Sequence, residues 1–237
     1  MPVKWKRLLT LSEKLVSVMN ILGVDEAGRG PVIGSMFIAS YELEEGRVDE
    51  LEDIGVKDSK KLSNKKREEI REKLDDIGDF TLREIEASQI DEMREVMTLN
   101  EIELQGFVEV MKDSDADRFT VDLPEPDGDR FIRKMKKELP NRFQSKDFVA
   151  EHGADDEYPE VSAASIIAKS AREAHVEKLH QKYGYDFASG YPHDKPTIEF
   201  LEKFMEEKGE LPEETRMSWS TAEKIVKKSK QKSFEDY

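Results

Sequence analysis

Apolar runs interrupted by acidic residues mark the first part of the chain. Residues 21–24 are apolar and strand-like, and a second run of β-branched and aromatic residues covers 32–39. Between them lie Asp25, Glu26 and a glycine-rich turn. This pattern predicts two buried strands joined as a hairpin, with two acids at the end of the first strand.

Helical and strand-like patterns alternate along the rest of the chain. Further strands are predicted at 80–87 and 119–121, and another ends at residue 151 or 152. Helices are predicted at 48–54, 65–77, 89–96, 99–112, 131–139, from 159 onward, 197–208 and 220–230. A turn is predicted around Asp155 and Asp156, and Trp219 is expected to anchor the carboxyl-terminal end.

Acidic residues at the ends of buried strands need groups that offset the cost of burying their charge. A carboxylate that leaves water needs a cation or hydrogen-bond donors, and magnesium is an obvious candidate beside Asp25 and Glu26. Asp122 repeats this arrangement after the strand at 119–121. Gly28 and Gly30 permit close backbone approach, which leaves N–H groups for phosphate or hydroxyl oxygens. The alternative is a tight hairpin whose acids are solvated.

Composition restricts the function classes. The 237 residues contain no cysteine, which excludes disulfides and thiol chemistry. No apolar run approaches the roughly 20 residues of a membrane span, so we expect a cytoplasmic protein without a membrane partner. The net charge of −15 counts against a simple nucleic-acid binder. Because 38% of the residues are charged and both signs are mixed, local basic faces remain compatible with this charge.

Four motifs carry a resemblance to a known family. DEAGRGPVIG at 25–34 resembles the first active-site motif of type 2 ribonucleases H, and the likeness to archaeal ribonuclease HII continues downstream. DSKKL at 58–62, the stretch 148–179 and SGYP at 189–192 follow in the family's order. The resemblance covers about 21–219. It implies an α/β ribonuclease H-like fold, with a central mixed β-sheet flanked by helices and a carboxyl-terminal helical appendage.

The resemblance also implies a domain organisation. The catalytic domain is expected at 19–195 and the helical region at 196–237. Residues 1–18 are then an amino-terminal extension, unless Met19 is the true start.

The activity implied by the resemblance is that of an endoribonuclease. It would cleave the RNA strand of RNA/DNA hybrids and incise 5′ of ribonucleotides in duplex DNA, leaving 5′-phosphate and 3′-hydroxyl ends. The cofactors would be two Mg²⁺ or Mn²⁺ ions. The residues carried over as catalytic metal ligands are Asp25, Glu26, Asp122 and Asp155, with Asp25 as the bridging ligand. The pattern His-x-Ala-Asp selects Asp155 rather than Asp156.

Substrate contacts follow from the same motifs. The residues implied are Gly28, Arg29, Gly30, Ser59, Lys60, Lys61, Ser165, Lys169 and Tyr191. The glycine turn would recognise a 2′-hydroxyl, and Tyr191 would pack on the next sugar. Ser165 and Lys169 fall at i and i+4 on one helix face. The alternatives are a solvated turn for 58–63, a surface role for Lys169 and a loop tyrosine packed on its own domain.

Two other function classes remain open at this point. One is another nuclease or integrase of the same superfold, and the other is a non-catalytic acidic protein that binds cations or a protein. Ribonuclease HIII is disfavoured because the residues before Asp25 leave too little room for its usual amino-terminal domain.

The expected partners are RNA/DNA hybrid and ribonucleotide-containing duplex DNA, bound by a monomer. The last predicted helix is rich in lysine and would help to grip the duplex. Gln231 and Phe234 match only part of a clamp-binding peptide, so a sliding-clamp partner stays open as an alternative that the sequence does not itself support.

Overall fold

The computed structural model describes residues 18–57 and 62–235, with side chains through residue 231. Residues 1–17 of the predicted extension at 1–18 therefore lie outside the described residues. The same is true of the predicted substrate contacts Ser59, Lys60 and Lys61.

Strands and helices alternate, as the sequence pattern predicts. The strands are Asn20–Ala27 (β1), Met36–Glu44 (β2), Asp79–Ile85 (β3), Arg118–Asp122 (β4) and Asp147–Glu151 (β5). The α-helices of the described part are Val48–Ile54 (α1), Asn64–Leu74 (α2), Ala87–Arg94 (α3), Leu99–Met111 (α4), Gly128–Glu138 (α5), Ala154–Glu157 (α6), Pro159–Tyr183 (α7), Lys195–Lys208 (α8) and Ser220–Glu235 (α9).

The five strands form one sheet in the order β3-β2-β1-β4-β5. β1 pairs antiparallel with β2 and parallel with β4, and β5 continues the parallel half. The predicted hairpin and the predicted fold class, a mixed sheet flanked by helices, are both confirmed. Because β1 and β4 run in the same direction, their carboxyl ends lie at the same edge of the sheet.

Helices cover both faces of the sheet. Leu22 and Val24 of β1 pack on one face with residues of α4 and α5. On the other face α7 lies directly against β1, because a Cβ atom on Gly23 would lie 2.3 Å from the carbonyl carbon of Glu160. Small α7 residues such as Ala163 are fully buried there. The close packing fixes the position of α7 relative to the end of β1.

The second strand begins later than the hydrophobic pattern predicts, since Val32 and Ile33 lie outside β2. The chain turns at Gly34, whose φ is +98°. Ile33 forms an isolated β-bridge with Thr215, and the Val32 carbonyl accepts a hydrogen bond from Arg216 N at 2.8 Å. The apolar run is therefore shared between the sheet and a separate core formed with α8 and α9.

Among the described residues, no helix has both the length and the apolar character needed to span a membrane.

Candidate active site

Three carboxylates meet at the carboxyl edge of the sheet. Asp25 lies in β1, Asp122 ends β4, and Asp155 belongs to α6. Each contributes one oxygen to a group whose atoms all lie within 4.8 Å of one another. We call these three residues the acid cluster. It joins three of the four predicted acids from distant parts of the chain.

Glu26 lies beside the acid cluster. Its backbone N–H donates to Asp25 Oδ1 at 2.7 Å, and its carboxylate interacts with Asp25, Asp122 and Arg29. Burial raises the pKa of Glu26. The group of oxygens within 4.8 Å does not include Glu26, so its role as a fourth ligand stays a prediction.

Backbone hydrogen bonds hold α6 against the cluster. Asp122 Oδ1 accepts from the N–H of Gly153 at 2.7 Å and from that of Ala154 at 3.2 Å. Gly153 adopts a φ of +70°, which favours glycine. Where the sequence predicts a turn, the chain forms a single-turn helix with Asp155 buried and Asp156 exposed. Gly153, which the sequence analysis did not select, thus helps to place Asp155.

Burial and repulsion dominate the electrostatics of the cluster. Asp25 is only 4% exposed. Its burial and the negative charges of Glu26 and Asp122 raise its pKa well above the ordinary value, while Ser165 and Lys169 oppose that shift. Carboxylate oxygens are the ligands that Mg²⁺ and Mn²⁺ prefer. A buried set of mutually repelling carboxylates therefore fits a divalent cation.

α7 brings Ser165 and Lys169 to the same place. Lys169 Nζ lies 3.8 Å from Asp155 Oδ2, and Ser165 is fully buried next to Asp25. The predicted i, i+4 relation places both residues on one face of the helix. The lysine offsets part of the negative charge of the cluster.

Arg216 organises the residues that follow β1, and the sequence analysis did not identify it. We call residues 28–30 the glycine loop. The fully buried guanidinium of Arg216 donates to the carbonyl oxygens of Gly28 (2.6 Å), Arg29 (2.8 Å) and Gly34 (2.9 Å). Burial lowers the pKa of Arg216 to about 9. No local pattern signals this role, because the acceptors come from the other end of the chain.

Trp219 and Tyr191 flank the glycine loop. Trp219 Nε1 donates to the Gly30 carbonyl at 3.1 Å, which agrees with its predicted anchoring role. A Cβ atom on Gly30 would lie 3.0 Å from Tyr191 Cε1. The guanidinium of Arg172 lies 5.1 Å from the centre of the Tyr191 ring. Two of the predicted substrate contacts, Gly30 and Tyr191, are therefore adjacent. Arg172, which the sequence analysis did not select, lies over the Tyr191 ring.

The Arg29 side chain extends from the glycine loop toward α4. Its guanidinium pairs with Glu103 and donates to Asn100 Oδ1 at 2.5 Å. The side chain keeps 31% of its surface exposed.

The predicted basic face of α9 is partly neutralised. Lys228 pairs with Glu202 at 2.8 Å, and Lys227 lies 3.6 Å from Glu223. Lys224 is exposed. The role of this helix in binding a duplex stays a prediction.

Comparison with known proteins agrees with this geometry. Residues 22–222 match the sequence model of the ribonuclease HII family. Ribonuclease HII of Methanosarcina barkeri is 43% identical over 213 residues, which cover 87% of this chain and 95% of the relative.

Solved structures give the same result. The crystal structure of ribonuclease H2 from Pyrococcus horikoshii OT3 has a TM-score of 0.84 and 41% identity, covering 90% of this chain and 100% of that chain. The RNase HII of the PCNA:RNase HII complex from Archaeoglobus fulgidus has a TM-score of 0.78 and 36% identity, with coverages of 86% and 96%. The chain therefore belongs to the ribonuclease HII family, whose members are divalent-metal-dependent endonucleases that cleave the RNA strand of RNA/DNA hybrids.

Proposed function

We propose that this chain also incises duplex DNA on the 5′ side of an embedded ribonucleotide, leaving 5′-phosphate and 3′-hydroxyl ends. The observation that carries the proposal is the orientation of the glycine loop beside the acid cluster. The carbonyls of Gly28 and Arg29 accept hydrogen bonds from Arg216. In a trans peptide the C=O and the following N–H point in opposite directions, and no described peptide bond is cis. The N–H groups of Arg29 and Gly30 therefore point away from Arg216.

Such N–H groups suit recognition of a ribonucleotide. A donor aimed at a 2′-hydroxyl distinguishes RNA from DNA at one position. Tyr191, next to Gly30, offers an aromatic ring for the sugar of the following nucleotide. Together the two features support recognition of a junction at which RNA is followed by DNA.

The proposed cofactors are two Mg²⁺ or Mn²⁺ ions, held by Asp25, Glu26, Asp122 and Asp155. The buried, mutually repelling carboxylates support this assignment. When bound, such ions lower the pKa of a coordinated water and offset negative charge at the reacting phosphate. Lys169 limits the charge of the acid cluster.

Cleavage of a labelled DNA duplex containing one ribonucleotide tests the proposed activity. An all-DNA duplex and a long RNA/DNA hybrid serve as comparisons, each with Mg²⁺, Mn²⁺ or a chelator. We expect a cut 5′ of the ribonucleotide, no cut in the all-DNA duplex and loss of cleavage with chelator. Cleavage of the hybrid alone would refute junction recognition.

Substitution of Gly30 by alanine tests the loop itself. The new Cβ would meet Tyr191 Cε1 at 3.0 Å, so we expect incision at a single ribonucleotide to fall by about 10- to 100-fold. Gly46→Ala is the matched control, because a Cβ there meets no atom within 4 Å. Equal rates for the two variants on the single-ribonucleotide duplex would show that Gly30 has no part in recognition.

A sliding-clamp interaction is a second proposal. The similar Archaeoglobus fulgidus RNase HII is in a complex with PCNA. In this chain Gln231, Phe234 and Tyr237 are spaced three residues apart, a fuller match to a glutamine-and-aromatic clamp peptide than Gln231 and Phe234 alone. We therefore propose that PCNA binds these residues.

The clamp proposal predicts separate effects on binding and cleavage. Replacing Phe234 and Tyr237 together with alanine should weaken binding of an archaeal PCNA by at least about tenfold, measured by calorimetry. Cleavage of hybrid without PCNA should be unchanged. Lys224→Ala is the control for a general charge effect. Equal PCNA affinity for the double variant and the unmodified chain would contradict the proposal.

A further inference from the structure

Glu103 is a buried carboxylate outside the acid cluster. It lies in α4, is 0% exposed, and has the buried apolar neighbours Ile102, Leu104 and Phe107 in the same helix. Burying a carboxylate is costly unless a cation accompanies it. Among the described residues, its ion-pair partner is Arg29 of the glycine loop. Apolar packing alone therefore does not explain an acid at this position, whereas the contact with Arg29 does.

α4 holds Arg29 with two side chains. Asn100 precedes Glu103 by three residues, which places both on one face of the helix, and Asn100 Oδ1 accepts from Arg29 at 2.5 Å. A capping box fixes the start of α4: the Glu101 N–H donates to Thr98 Oγ1 at 3.3 Å, and the Thr98 N–H donates to Glu101 at 2.8 Å. The guanidinium of Arg29 is therefore held by an ordered helix end.

Arg29 is held at both its side chain and its backbone. While α4 binds the guanidinium, Arg216 donates to the Arg29 carbonyl at 2.8 Å. The charge of Arg29 also attracts that of Glu26. A set of contacts thus runs from α4 to the glycine loop, and an electrostatic attraction links the loop to Glu26.

We propose that Glu103 is a positioning residue which, together with Asn100, acts through Arg29 to orient the glycine loop. Glu103 does not touch the substrate, since its side chain is inaccessible. This inference rests on the proposed function of the glycine loop and deepens it by naming the element that holds the loop.

The test compares Glu103→Gln with Glu160→Gln in the full chain. Glu160 is a similarly buried acid, 1% exposed, that lies 3.9 Å from Arg118 and hydrogen-bonds Thr120. We would measure kcat and KM on the single-ribonucleotide duplex and on the hybrid. The ¹H–¹⁵N resonances of Gly28 and Gly30, recorded without metal in protein labelled at glycine, report on the loop independently of activity.

We expect Glu103→Gln to lower kcat by about tenfold, within the range for residues of one hydrogen-bonded network. It should also shift the Gly28 and Gly30 resonances, whereas Glu160→Gln should change neither property. Because Glu103 acts through Arg29, the double variant Arg29→Met/Glu103→Gln should be no slower than Arg29→Met alone. Glu103→Asp, which keeps the charge, should recover part of the rate.

Two results would overturn the inference. One is a Glu103→Gln variant with unshifted loop resonances and unchanged kcat. The other is a double variant Arg29→Met/Glu103→Gln whose kcat falls by the product of the factors measured for the two single variants. If Glu103→Gln fails to fold, Asn100→Ala takes its place and must give the same loop shifts. If the unmodified chain does not cut the single-ribonucleotide duplex, the proposed junction recognition is refuted. The role of Glu103 is then tested separately by the glycine resonances and by kcat on the hybrid.

Discussion

Replacing Asp25 with asparagine is expected to lower kcat for metal-dependent cleavage by at least about 10³-fold. The same change should raise the free energy of unfolding of the metal-free protein at neutral pH. Asp25 is 4% exposed and lies beside other acids, so its charge without a cation is unfavourable for folding. Asparagine keeps the shape and removes the charge, and it should weaken the proposed metal binding. Asp122→Asn should likewise lower kcat and raise the free energy of unfolding.

The pH dependence of stability gives an independent check. The pKa of Asp25 in the folded protein lies above 3.8, so between the two values the folded state binds more protons than the unfolded state. The metal-free protein should therefore lose stability as pH rises from about 3.8 through the raised pKa. Urea unfolding with chelator should show a weaker decline for Asp25→Asn.

The control for both measurements is Asp53→Asn, at an exposed position of α1. It should behave as the unmodified chain does in cleavage and in unfolding. Near-normal turnover by Asp25→Asn would contradict the assignment of Asp25 as a metal ligand. Lower stability of that variant in chelator at neutral pH would contradict the electrostatic argument.

Replacing Arg216 with methionine is expected to lower the free energy of unfolding by about 3 kcal/mol or more. Methionine fills space but cannot donate, so the carbonyls of Gly28, Arg29 and Gly34 would lose their partner in the protein interior. Each buried acceptor left without a donor costs about 1 to 3 kcal/mol. Arg216→Lys keeps a charge but lacks the planar guanidinium. Its free energy of unfolding should therefore lie between those of the unmodified chain and Arg216→Met.

Urea unfolding and cleavage assays together test the role of Arg216. Arg142→Met is the matched control, because Arg142 is exposed and donates to the Lys112 carbonyl at 2.5 Å. That control should lose less than about 1 kcal/mol, since water replaces the lost donor. A similar loss for both variants would show that the buried carbonyl contacts do not stabilise the loop. We also expect Arg216→Met to cut the single-ribonucleotide duplex more slowly than the control.

Local positive charge explains how an acidic protein can approach nucleic acid. The net charge is −15, yet Lys169 lies at the acid cluster, Arg172 lies over Tyr191, and Arg29 leaves the glycine loop. These cations lie at the acid cluster or at the glycine loop. Whole-chain charge is thus a weaker guide to partners than the charge at the carboxyl edge of the sheet.

Local interactions made much of this protein predictable from its sequence. α1 begins at Val48 and α4 begins at Leu99, as the sequence pattern predicts, and Ser165 and Lys169 both lie in α7 at the i, i+4 spacing. Contacts within one or two helical turns set these features. Acids that directly follow apolar runs mark the end of a strand at the sheet edge, and this pattern located Asp25 and Asp122 in β1 and β4. The motif resemblance added Asp155.

Tertiary structure alone decided how these residues are held. Arg216 reaches a carbonyl 188 residues away, and Glu103 is compensated by Arg29 on another element. Val32 fits a strand by pattern, yet it leaves the sheet because a separate core competes for it. The free energy of a buried charge or apolar side chain depends on the partners that the whole fold supplies, and these partners are not encoded by spacing along the chain.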